Sequence, residues 1–109
     1  MSRKGLMVAL SLAAVAAACG ASAPEPVAAD ASRASKKWPA TTLDDLTVGR
    51  NLFMDKCSQC HGLKDSKDVP AEQWSATVQR MRDKHGLKIP ENDAQLVIRY
   101  LYAMAGRTD

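Results

Sequence analysis

Cys57-Ser58-Gln59-Cys60-His61 is the stretch that decides how the rest of the chain is read. The two thiols are three positions apart, close to one helical turn, and a histidine follows the second at once. This is the spacing of c-type haem attachment. Both sulfurs reach the vinyl groups of one porphyrin, and the adjacent imidazole of His61 rises under the iron as the proximal ligand. Three other chemistries use the same residue types. A thioredoxin-like redox pair wants its first cysteine at a helix start after a strand, but Cys57 follows a helical pattern and no strand alternation is present. A structural zinc site would draw on Cys57, Cys60, His61 and His85. Adjacent Cys60 and His61 fit tetrahedral ligation badly, and a second closely spaced ligand pair is missing. A Cys57–Cys60 disulfide would close a loop too small to stabilise much. One covalent haem c per chain, held by Cys57 and Cys60, is the expectation.

The length supports that reading. At 109 residues and five aromatic side chains, the chain has room for one small domain and excludes barrels, doubly wound α/β folds and two-lobed enzymes. Residues 1–19 have the order of a secretory signal: Arg3 and Lys4, an apolar run from Leu6 to Ala18, then small residues before Cys19. The run would span about 20 Å as a helix, short of the ~30 Å hydrocarbon core. Residues 20–41, dominated by Ala, Ser and Pro, read as a flexible linker. Residues 42–109 remain as the domain, a size that often needs a cofactor, metal or disulfide to be stable. Their ten basic and ten acidic side chains cancel, so the basic footprint that nucleic acid requires is missing.

The flanks of the motif are helical in pattern. Thr42 is a candidate N-cap for a helix running into Cys57, with Asp45 in the reciprocal capping position. Asn92 is a candidate N-cap for a last helix from Asp93, with Gln95 reciprocal. Val97, Tyr100, Leu101 and Met104 form its apolar stripe, and Gly106 can end it. Between them, Pro70-Ala71-Glu72 opens a middle helix with Trp74, Val78 and Met81 on one face.

Taken together, a helix with Gly49 and Phe53, Cys-x-x-Cys-His, a middle helix and a final helix with Tyr100-Leu101 resemble the class I cytochrome c family over residues 43–105. The resemblance implies an all-α, cytochrome c-like helical fold around one haem. Its first and last helices would cross, Gly49 and Phe53 meeting Tyr100. It also implies a His61 ring whose free N–H is held by a backbone carbonyl, with Pro70 the candidate, and a sixth iron ligand between the motif and the last helix. The stretch from Trp74 to Met81 is similar to small cytochrome subunits that serve dehydrogenases. Separately, Cys19 after small residues resembles the lipobox of bacterial lipoproteins, which implies acylation of Cys19. Ordinary cleavage near Ala21 or Ala23 is the competing expectation.

Four side chains compete for the sixth position. Met54 lies one turn before the attachment site, too constrained to reach the opposite face. Met104 continues the apolar stripe of the last helix and is more simply core. Met81 is the expected distal ligand, and His85, four residues on, is the runner-up that would give bis-histidine ligation. Trp74 is a candidate to pack on the macrocycle. Lys56, Lys64, Lys67, Lys84 and Lys88 could steer an acidic partner, although Asp55, Asp65, Asp68 and Asp83 alternate with them.

The expected function is an exported, periplasmic c-type cytochrome that passes single electrons between larger redox proteins, with Cys19 a possible membrane anchor. It is a carrier rather than an enzyme: the chain offers no triad, paired-carboxylate cleft or phosphate loop. The alternatives are the electron-accepting haem subunit of a dehydrogenase complex, a five-coordinate haem sensor, and an accessory lipoprotein whose cysteines exchange thiols.

Overall fold

Thr42 starts the principal helix as its sequence anticipates. Its hydroxyl accepts from the Asp45 backbone N–H at 3.0 Å, and the Asp45 carboxylate accepts from the Thr42 N–H at 2.9 Å, closing a capping box. In a computed structural model that describes residues 23–59 and 65–108, this helix is the second of four. They are α1 (Ala28–Ser35), α2 (Leu43–Lys56), α3 (Trp74–Lys84) and α4 (Glu91–Ala105), with short 3-10 turns at Cys57–Gln59, Ser66–Asp68 and Ala71–Gln73. The described residues hold no strand, and the fold is all-α.

The α2–α4 crossing is the most extensive contact between elements. Gly49 permits it. A Cβ built there would come within 2.8 Å of the Leu96 carbonyl carbon and closer still to its oxygen, so only a bare backbone fits. Tyr100 lies across the same point, its ring 6.0 Å from that of Phe53. Gly49, Phe53 and Tyr100 therefore meet as the resemblance implies. Leu46, Val97, Leu101 and Met104 fill the core around them, and Trp74 and Val78 close it from α3. Met104 is 1% exposed and belongs to this core.

The last helix begins two residues earlier than the sequence suggests. Pro90 rather than Asn92 is its N-cap and accepts from Ala94 N–H at 2.9 Å, which makes Glu91 the first helical residue. Proline's fixed φ and the side chains that gather on Glu91 explain the shift: Gln95 donates to it at 2.7 Å, and Arg82 pairs with it. At the other end α4 stops at Ala105, with Gly106 as its C-cap.

Residues 23–41 correct the expectation of a flexible linker from 20 to 41. They fold back as a strap that includes α1 and packs on α4 and α2. Polar anchors hold it. Asp30 is 1% exposed and receives Arg107 at 2.7 Å together with Arg33. Arg33 also donates to the Ala103 carbonyl at 3.0 Å, and Arg107 to the Glu25 carbonyl at 2.8 Å. Tyr100 donates its phenol to the Pro24 carbonyl at 2.7 Å, and Arg50 donates to that of Ala23 at 2.8 Å. Further along, Trp38 meets Tyr102 edge-on at 5.0 Å, and Lys37 lies over both rings while pairing with Glu72. Ala40, in the left-handed region at φ 72°, turns the strap into α2.

Burial pushes the Asp30 carboxyl up, but the Arg107 hydrogen bond, the Val27 N–H and the charges of Arg107 and Arg33 outweigh it and hold its pKa below the ordinary 3.8. The Tyr100 phenol is driven well above its usual range by burial. Both groups stay in one protonation state near neutrality. The signal at 1–19, with Cys19, lies outside the described residues. Among those described, no helix is long and apolar enough to cross a membrane.

Candidate functional site

α2 ends where the cysteine motif begins. Cys57 is its C-cap, donating its N–H to the Phe53 carbonyl, and the chain tightens there into the Cys57–Gln59 turn. Cys60, His61 and Lys64 lie outside the described residues. Beside Cys57 opens a cavity of about 450 Å³, within the ~300–1,000 Å³ usual for cofactor sites. Lys56, Cys57, Thr77, Arg80, Met81, His85 and Leu87 line it.

The far wall comes from α3 and the turn after it. Trp74 and Val78 anchor the inner face of α3 in the core, which turns Thr77, Arg80 and Met81, related by steps of three and four, toward the cavity. Past Lys84 the backbone reverses at Gly86, with φ 77°. That left-handed residue lets the Leu87 N–H return to the Met81 carbonyl at 3.0 Å, beside the His85 N–H at 3.2 Å. His85 and Leu87 are thereby folded around the helix end into the same wall as Met81.

Cys57, Met81 and His85, three candidates from the sequence, thus share one cavity. Trp74 does not line it. Its ring is 1% exposed in the core, and its indole N–H donates to the Ser66 carbonyl at 2.8 Å. Of the described lysines proposed to steer a partner, Lys56 lines the cavity. Lys67 instead donates to the Arg107 carbonyl at 2.6 Å. Thr77, Arg80 and Leu87 were not singled out from the sequence. The signal available for the first two was their helical spacing with Met81; for Leu87 it was the glycine before it.

The donor set suits an iron porphyrin: a thiol at one side, a thioether sulfur and an imidazole at the other, aliphatic surface from Leu87, and two cations to meet anionic groups. Thr77 adds no free donor to this wall, because its hydroxyl donates to the Gln73 carbonyl at 2.8 Å.

The sequence model of the family described as quinohemoprotein amine dehydrogenase A, alpha subunit, haem binding matches residues 47–109. The match runs from the first half of α2 to the end of the chain and includes every residue of the cavity wall. The strap lies before it. No curated protein and no solved structure matches the chain.

Proposed function

Because this chain belongs to the haem-binding family of the quinohemoprotein amine dehydrogenase alpha subunit, we propose that it binds one haem c and relays single electrons from a dehydrogenase partner. Bound haem supplies a one-electron Fe(II)/Fe(III) couple. The chain supplies attachment, ligation, enclosure and charge. Cys57 and Cys60 would hold the haem covalently, each thiol S–H adding across one vinyl group to leave a thioether. His61 would give iron a ring nitrogen, and Met81 would give its thioether sulfur from the cavity wall, with His85 the alternative at the same helix end. A methionine–histidine pair sets a higher potential than two histidines. α3 fixes Met81 through the buried Trp74 and Val78, and Leu87 adds apolar surface to the same cavity.

One observation carries this reading: Met81 and Cys57, 24 positions apart, line the same cavity. The family favours a dehydrogenase-coupled role over a general shuttle, since the matching domain is named from a dehydrogenase subunit. The protein itself is then a carrier and not the catalyst. We further propose export to the periplasm through residues 1–19, with Cys19 acylated as a membrane anchor.

The test is the absorption spectrum of the full chain, exported together with cytochrome maturation machinery. Sharp c-type bands on reduction and no binding of carbon monoxide are expected. Met81→Ala should keep covalent haem, lose the native bands and bind carbon monoxide. Carbon monoxide binding by the unaltered protein would point to a five-coordinate sensor, and a protein without haem would sink the assignment.

A further inference from the structure

Two arginines stand two residues apart on α3 and differ in what they touch. Arg82 is fully engaged. It donates to the Ile89 carbonyl at 3.0 Å and to Gln79 at 2.9 Å, and it pairs with Glu91, so it braces α3 against α4. Arg80 makes no hydrogen bond or ion pair with any described residue, yet it lines the cavity beside Met81. The other cation there, Lys56, already pairs with Asp55 at 3.8 Å. A guanidinium that braces nothing in the fold, turned to a cofactor cavity rather than to a neighbouring carboxylate, is placed for an anion carried by the cofactor.

We propose that Arg80 holds a propionate carboxylate of the haem; this rests on the haem reading above. The chemistry is matched. A planar guanidinium meets a carboxylate with two parallel N–H donors, a geometry that a lysine ammonium lacks. Lying next to Met81 on the same turn, Arg80 would fix the porphyrin against the helix that supplies the distal ligand. It would also set the reduction potential. A cation near the porphyrin offsets the propionate's negative charge and favours Fe(II) over Fe(III). Removing it should therefore lower the potential.

The experiment is a spectroelectrochemical titration of the full-length matured protein and three variants. Arg80→Gln should retain the reduced and oxidised bands but shift the reduction equilibrium about tenfold toward Fe(III), about 59 mV for one electron. Arg80→Lys should recover most of that shift. Lys84→Gln removes an exposed charge on the same helix that does not line the cavity, and it should leave the potential unchanged. If Arg80→Gln loses haem during maturation and Arg80→Lys retains it, the anchoring role is supported. Loss from both variants overturns it. So does an unchanged potential in Arg80→Gln, or an equal shift in Lys84→Gln, which would mark a general field effect. Absence of haem from the unaltered protein would overturn the haem reading as well, and that result is separable from all the variant outcomes.

Discussion

The strap over residues 23–41 and the cavity wall over residues 74–87 are built on opposite principles. The strap has few large apolar side chains, yet it is docked through a carboxylate 1% exposed, two arginines and carbonyl acceptors at its first residues. The wall has apolar and ligand-type side chains, yet Met81 and Leu87 stay only half-buried and His85 is exposed. In the strap, polar groups satisfy one another and the segment is complete. In the wall Thr77 and Arg82 are engaged, but Arg80 and His85 are left facing a cavity. Polarity of composition therefore predicts neither region's behaviour; what matters is whether each polar group has a partner within reach.

Both regions lean on the α2–α4 crossing, so the largest loss is expected there. Gly49→Ala should cost about 3 kcal/mol or more, because the added methyl meets helix backbone that cannot swing aside. Urea unfolding followed by circular dichroism measures this. A loss below about 1 kcal/mol would show that the helices can separate, and the contrast between strap and wall would lose its common base.

Next comes the strap's charged anchor. Asp30→Ala should cost about 2–3 kcal/mol, somewhat below a fully buried pair because both arginines are partly exposed. The loss should be accompanied by faster proteolysis between residues 36 and 41. Its pH dependence follows from the lowered carboxyl pKa. The stabilisation is complete above the ordinary value of 3.8 and disappears as pH falls through the lower value of the folded state. Wild type and Asp30→Asn should therefore differ most near neutrality and converge in acid. A gap that is constant with pH would mean that Asp30 acts by shape rather than charge.

The smallest effect belongs to the aromatic clasp. Trp38→Ala removes an edge-on contact with Tyr102 and a face shared by Lys37 and Arg99, and it should cost about 1–2 kcal/mol. It should leave the haem spectrum unchanged, as a strap variant must if the two regions are independent. A spectral change would join them.

The sequence makes the crossing and the motif legible because both are local or periodic. Thr42 and Asp45 signal the start of α2, Val97 to Met104 repeat at helical intervals, and a glycine and a phenylalanine one turn apart mark the contact with Tyr100. Met81 and His85 are likewise readable as an i, i+4 pair. The strap is hidden for a physical reason. Its anchors lie 77 positions apart in the chain, between Asp30 and Arg107, and charges that find each other only after folding leave no periodic trace. Trp38, a large ring in an otherwise small-residue stretch, was the one hint. Arg80 was hidden too. From sequence it is one of several cations on a polar helix, and only the different engagements of Arg80 and Arg82 separate them.

The pinning of Ala23 and Pro24 to Arg50 and Tyr100 has a consequence for how the domain could stand on a membrane. If Cys19 carries lipid, the chain between the acyl group and the first docked residue is four steps, at most about 14 Å at ~3.5 Å per step. A leash running to Thr42 would let the domain roam several times as far and tumble freely. One this short moors the domain by the face where Arg50 and Tyr100 hold Ala23 and Pro24, restricts its rotation, and turns a search for a redox partner in three dimensions into a search along a surface.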